Sequence, residues 1–156
     1  MRMALLLVFG VIFLSACGAD DDRKTSASER MVIHTRMVIA ATEGAEPIAT
    51  GEVAETSTIG DSAFCAGGKI RDSHARTPAM KRVGPIARTI TCPTGTLKIG
   101  LAPEVGPAGP SGKGTWTIVR GTGDFEGLHG RGRMSVAMDA ADESLGRETL
   151  TATVTR

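Results

Sequence analysis

Histidines and carboxylates are the side chains in this sequence that could bind a metal ion or transfer protons. The three histidines, His34, His74 and His129, lie far apart, and no two have the spacing of paired metal ligands on a helix. The sequence therefore predicts no metal site. Five carboxylates are candidates for a general acid or base: Glu52, Glu55, Asp61, Asp124 and Glu126. A catalytic pair must converge in a pocket, and hydrogen bonding within a turn is the simpler interpretation of Asp124 and Glu126.

Hydrolase and cofactor-binding motifs are not evident. Ser62 and Ser111 lack the strand–turn–helix setting of a hydrolase nucleophile. The segment Gly121-Thr122-Gly123 lacks the third glycine and the following βαβ unit of a dinucleotide-binding loop, so we expect no cofactor. A net charge of +1 and an aromatic content of 3% argue against nucleic-acid binding, which depends on phosphate contacts and base stacking.

The N-terminus has the features of an export signal. Residues 1–16 combine Arg2 with an apolar run of ~13 residues, which is too short to span a bilayer. The run ends in Leu14-Ser15-Ala16-Cys17, which resembles the lipobox of bacterial lipoproteins. The resemblance implies a signal peptide over 1–16, lipidation of Cys17, a flexible tether over 17–30, and attachment to a membrane facing the periplasm or cell exterior. An ordinary cleaved signal with a cysteine near its end is the alternative.

The two remaining cysteines, Cys65 and Cys92, are expected to form a disulfide. If Cys17 is lipidated, they are an even pair in an oxidising compartment. A bridge between them closes a loop of about 27 residues and contributes ~3.5 kcal/mol by loss of chain entropy in the unfolded state. Two buried free thiols are the alternative interpretation.

Short alternating segments separated by glycine and proline indicate one all-β domain over 31–156. In the first segment Ile33, Thr35, Met37 and Ile39 share one face. Loops are expected over 75–85 and over the proline-rich residues 103–112. The pattern predicts a small antiparallel β-barrel of seven to eight strands, with a β-sandwich as the alternative. A barrel is preferred because the strongly alternating segment 148–155 would otherwise form an exposed edge. The segments expected to form strands are 31–41, 47–55, parts of 61–74, which also contains a Gly67-Gly68 turn, 87–92, 96–101, both ends of 114–138, and 148–155.

A glycine-rich connection joins two strands within 114–138. The sequence from Gly114 to Gly130, with Trp116 and Phe125, resembles the connection found in the allene oxide cyclase-like barrel superfamily, which includes the dirigent proteins. The resemblance implies a barrel with Phe125 and Leu128 closing one end; the cyclase activity of plant relatives does not transfer with the fold. The resemblance to this superfamily also includes a Phe-Cys pair at 64–65, a Gly-Gly pair at 67–68 and a second cysteine at Cys92. Glycines of the connection are Gly121, Gly123, Gly127 and Gly130.

Two functions suit such a barrel. The preferred one is a binding module for a small apolar ligand or a protein partner, and the alternative is an isomerase or cyclase acting on an apolar substrate inside the barrel. An interior packed solid with side chains would leave only the outer surface for binding, whereas a deep cavity with a carboxylate and a convergent donor would favour an enzyme. Basic residues near the segment between the cysteines are interpreted as solvated, or else as a contact for an anionic partner or lipid headgroups: Arg71, Arg76, Lys81, Arg82 and Arg88.

Overall fold

The computed structural model of the protein describes residues 27–40, 48–107 and 109–156. The predicted signal peptide, Cys17 and most of the predicted tether lie outside the described residues. Within the described ranges, no helix combines the length and apolar character needed to cross a bilayer.

Nearly all of the described chain is extended. The strands are β1 (Glu29–Ala40), β2 (Ile48–Val53), β3 (Thr58–Ile59), β4 (Ser62–Ala63), β5 (Lys69–His74), β6 (Ile86–Cys92), β7 (Gly95–Gly106), β8 (Gly109–Gly121), β9 (His129–Met138) and β10 (Leu145–Thr155). One short helix, α1 (Pro78–Val83), and one 3₁₀ turn (Gly123–Phe125) interrupt them.

Eight of these strands close into an antiparallel barrel in the order β1-β2-β5-β6-β7-β8-β9-β10. The barrel closes where β10 pairs with β1, from Glu29 opposite Val154 to Val38 opposite Leu145. The short β3–β4 hairpin pairs with the outer part of β1. This closure confirms the predicted barrel and excludes the sandwich, because every long strand has a partner on both sides.

The two ends of the barrel differ in their contents. At the end that we call the closed end, Phe64, Phe125 and Leu128 are buried, and the two phenylalanine rings lie 5.4 Å apart. The disulfide predicted between Cys65 and Cys92 is present at this end, with Cα atoms 5.3 Å apart. The opposite end, where β1, β5, β7 and β9 finish, is the open end. The apolar core therefore fills one part of the barrel and leaves the other accessible.

Two segments expected to be loops contain regular structure. The prediction of a loop over 103–112 was wrong, because β7 continues to Gly106 and β8 starts at Gly109. A register shift between Pro103 and Val105 accommodates the proline, which lacks a backbone N–H. The segment 75–85 contains α1, whose start is capped by the Thr77 side chain accepting from the Met80 N–H at 3.3 Å.

Candidate functional site

A cavity of about 650 Å³ occupies the open end of the barrel. Its walls come from the last inward-facing residues of neighbouring strands, where the core residues end. Most of the walls are apolar, and three methionines contribute to them. The apolar lining residues are Met37, Ile39, Ile48, Ala49, Pro85, Ile86, Leu101, Pro103, Pro110, Met134, Val136 and Met138. The interior is thus not packed solid, and the cavity lies within the size range of small-molecule sites.

Three charged side chains meet at the inner end of this cavity, and we call them the floor cluster: Asp72, Arg88 and Glu148. All three are buried, with Arg88 and Glu148 each only 2% exposed. The Arg88 guanidinium donates from Nε to Asp72 Oδ1 at 2.6 Å and from Nη2 to Asp72 Oδ2 at 2.8 Å. Arg88 Nη1 donates to Glu148 Oε2, so one arginine holds two carboxylates.

Within the ranges that the structure describes, neighbouring strands donate hydrogen bonds to one Glu148 oxygen and none to the other. Thr35 Oγ1 on β1 donates to Glu148 Oε2 at 3.2 Å. Glu148 Oε1 is buried and has no hydrogen-bond partner in the described part of the chain. Arg88 Nη2 also contacts Met37 Sδ at 3.3 Å. The site therefore combines an apolar wall with one buried acceptor that lacks a hydrogen-bond partner among the residues that the structure describes.

Burial and charge shift the pKa values of two members of the floor cluster in the same direction. Burial raises the pKa of Glu148 above its ordinary value, and the attraction of Arg88 offsets this only in part. Burial alone would lower the pKa of Arg88, but hydrogen bonds to Asp72 and the negative charge of Glu148 outweigh it, so the arginine pKa is raised. Arg88 therefore stays charged, while Glu148 takes up a proton more readily than an exposed glutamate.

Strand alternation explains how these charges reach the interior. On β10 the residues Leu150 and Val154 face inward, and the same phase carried back towards Leu145 brings Glu148 inside. On β6, Arg88 shares the inward phase of Ile90, and Asp72 is its cross-strand partner on β5. A charged residue at an inward position of an alternating strand was thus the signal in the sequence that could have identified this site.

The carboxylates selected from the sequence do not form the site. Glu52, Glu55, Asp61, Asp124 and Glu126 are all exposed. Glu52 forms an ion pair with Lys69 on the outside of the barrel, which lowers its pKa. Ser62 and Ser111 are exposed as well, and the described residues contain no group of three or more potential metal ligands.

The basic residues predicted to be solvated separate into two environments. Arg71, Arg76, Lys81 and Arg82 are exposed, as that interpretation required. For Arg88 the interpretation was wrong, because its guanidinium lies inside the barrel between two carboxylates. His34 is half-buried on β1, and its Nδ1 is 3.1 Å from Thr149 Oγ1.

The glycine connection is structural and lies at the closed end, away from the cavity. Gly123 and Gly127 have φ of +61° and +72°, which L-residues with side chains adopt at a cost. Gly121 leaves no room for a side chain, because an added Cβ would overlap the Phe125 carbonyl, and Gly130 packs against Val154. Comparison of the chain with models of known protein families and with curated proteins gives no match.

Proposed function

We propose that this protein is a lipid-anchored extracytoplasmic barrel that binds a small, largely apolar ligand in the cavity at its open end. The observation that carries the proposal is the cavity itself, about 650 Å³ with apolar walls and a polar floor. Pockets of this kind bury most of a small ligand and orient it with a few polar groups. Methionines in the wall adapt to ligands of different shape, because their side chains are unbranched and polarizable.

The rim of the cavity supports entry of an apolar molecule. Val38, Val105, Met138 and Leu145 lie at this end and are exposed, and Val105 is 77% exposed. Such an exposed apolar rim also suits a protein partner, because apolar patches mark interaction sites. A small ligand and a protein partner would bind differently, because only a small ligand enters the barrel and contacts the floor cluster.

Ligand binding can be tested with the only tryptophan in the chain. Trp116 is buried on β8 and pairs with Leu101, which lines the cavity, so we expect its fluorescence to change when the cavity is occupied. We expect members of a lipid and terpenoid panel to change this fluorescence and raise the melting temperature, because a ligand of the native state stabilises it. Ala49→Phe, which fills the cavity, should abolish both effects.

Ala137→Phe is the matched control, because Ala137 is exposed on β9 and places the same ring on the outer surface. It should bind like the natural protein. No stabilisation across a broad panel, or equal binding by the Ala49→Phe variant, would contradict the proposal.

Anchoring by Cys17 is a separate part of the proposal and rests on the resemblance of 14–17 to a lipobox. Two or three acyl chains on the mature N-terminus give stable membrane attachment. The change Cys17→Ser should release the protein into the soluble fraction or leave it unprocessed, measured by cell fractionation and mass spectrometry. Normal processing with unchanged membrane retention would refute lipidation.

An isomerase or cyclase is the second candidate, and the floor cluster is the observation that favours it. A buried carboxylate with a raised pKa beside a charged donor is an arrangement that can transfer protons. The resemblance to allene oxide cyclase-like barrels agrees with this function but does not establish it. Ligands found by the panel should be recovered after incubation and analysed by chiral chromatography. Conversion that Glu148→Gln abolishes would support an enzyme, and quantitative recovery of unchanged ligand would support a binding module.

A further inference from the structure

The charges of the floor cluster decide which chemical group a ligand can place against it. Arg88 carries one positive charge, and it lies between the carboxylates of Asp72 and Glu148. When both carboxylates are ionised, the cluster has one negative charge in excess, and this charge is buried. A second anion brought to the same place would be repelled in a region of low dielectric.

Arg88 is not available to counter such an anion. Its Nε and Nη2 both donate to Asp72, and its Nη1 donates to Glu148. Three of the five N–H donors of the guanidinium are thus used by two carboxylates and a fourth points to Met37 Sδ, so no uncompensated positive charge remains for the carboxylate or phosphate of a ligand. The arginine therefore belongs to the floor as a structural cation and is not an anchor for an acidic ligand.

Glu148 provides the complementary feature. Its Oε2 accepts from Arg88 and from Thr35, while its Oε1 is buried without a partner among the described residues. A buried acceptor left unsatisfied costs free energy, which a donor from a ligand would recover. Glu148 lies three residues along β10 from Leu145 at the rim, roughly 10 Å inward, so a ligand must carry its donor at the end of an apolar body.

We propose that the cavity selects apolar molecules that end in a hydroxyl group, which donates to Glu148 Oε1, and that it discriminates against the corresponding carboxylates. This inference rests on the proposed function of ligand binding. A hydroxyl satisfies the free acceptor at a lower desolvation cost than a charged group. The apolar body of the ligand then contacts the methionine-rich wall, where burial of its methylene groups favours binding.

A series of probes with one alkyl chain and different ends tests the selectivity. The probes are 1-decanol, decyl methyl ether, which accepts but does not donate, and decanoate. Their dissociation constants are measured by Trp116 fluorescence and calorimetry. We expect 1-decanol to bind roughly tenfold or more tightly than either other probe, since a hydrogen bond to a charged group contributes more than a neutral one.

Glu148→Gln removes the excess charge and should bring decanoate to within about threefold of 1-decanol. Glu52→Gln is the matched control, because it changes the net charge equally on the exposed outer face. It should retain the selectivity of the natural protein. Circular dichroism checks that both variants fold. If Glu148→Gln does not fold, the probe series on the natural protein still tests the hydroxyl selectivity.

The outcomes separate the two proposals. If decanoate or the ether binds as tightly as 1-decanol, or none of the three binds while members of the wider panel do, hydroxyl selectivity is overturned and ligand binding stands. If neither the probes nor the panel bind, the proposed function fails as well. Equal loss of selectivity in the Glu52→Gln variant would also overturn the role assigned to Glu148.

Discussion

Arg88 holds two carboxylates together inside the barrel, and its removal gives the clearest prediction for a single residue. In Arg88→Met the side chain keeps much of its volume, but Asp72 and Glu148 lose their cation and remain buried. We expect a loss of about 3–5 kcal/mol in the free energy of unfolding, the usual cost of leaving buried charge unpaired. Chemical denaturation measures it.

Arg71→Met, one residue from Asp72 but on the exposed face of β5, is the matched control and should change stability by no more than about 0.5 kcal/mol. A loss of less than about 1 kcal/mol in Arg88→Met would show that the floor cluster contributes little to folding.

The raised pKa of Glu148 predicts a pH dependence of definite sign. An acid whose pKa is higher in the folded than in the unfolded state binds more protons when folded, so it makes stability fall as pH rises from 4.5 through the raised value. We expect the unfolding free energy of Glu148→Gln, relative to the natural protein, to increase over this range. Denaturation at a series of pH values measures the difference.

Glu52→Gln should show the opposite trend, weakly. The pKa of Glu52 is lowered by its hydrogen bond to Lys69, so its contribution is present above pH 4.5 and is lost as pH falls. Because Glu52 is exposed, we expect a much smaller effect than at Glu148. A pH-independent difference for Glu148→Gln would mean that this carboxylate does not titrate differently on folding.

The residues of the site were harder to predict than the strands that hold them. Segment 148–155 alternates strongly, and the phase that buries Leu150 and Val154 also buries Glu148. A charge in a strand is ordinarily placed outside, because an isolated charge inside a protein is costly. Arg88 and Glu148 reverse this expectation by forming an ion pair inside the barrel, and that pair joins positions 60 residues apart that sequence spacing does not connect.

The glycine connection between β8 and β9 contains glycines that are required for two different reasons, backbone conformation and lack of space. Gly127 has φ of +72° with open space around it, so Gly127→Ala should cost about 1–2 kcal/mol for the backbone conformation alone. Gly121 has no room, because an added Cβ overlaps the Phe125 carbonyl. Gly121→Ala must therefore displace Phe125 at the closed end. Its loss of unfolding free energy should be clearly larger than that of Gly127→Ala. Denaturant unfolding compares the two, and equal losses would contradict the packing described for Gly121.

Regular alternation made most elements predictable, and proline misled the prediction at one hairpin. Prolines at 103, 107 and 110 indicated a loop, yet β7 extends to Gly106 and β8 starts at Gly109. At the projecting end of a hairpin few backbone N–H groups are needed for pairing, and the shift at Pro103 absorbs the mismatch. Local composition therefore gave the wrong element, because the two arms of this hairpin pair with each other at positions where a proline N–H is not needed, as Val105 opposite Pro110 shows.

In the whole molecule, the disulfide that stabilises the fold lies at the closed end of the barrel and the binding cavity lies at the open end. Cys92 lies four residues along β6 from Arg88, roughly 13 Å away. The disulfide and the rings of Phe64 and Phe125 therefore lie beyond the cavity floor. Sites this far apart with no shared partners contribute additively. Replacing both cysteines, Cys65→Ala with Cys92→Ala, should therefore cost about 2–5 kcal/mol of stability yet leave the affinity for 1-decanol within twofold.

The measurement is denaturant unfolding of both forms with and without ligand. The stabilisation added by a ligand depends only on its concentration and dissociation constant, so the increment should be equal in the two proteins. A tenfold weaker affinity without the disulfide would instead show that the closed end holds the cavity in shape. In that case the hydrogen-bonded ladder, which runs unbroken around the barrel, would couple its two ends.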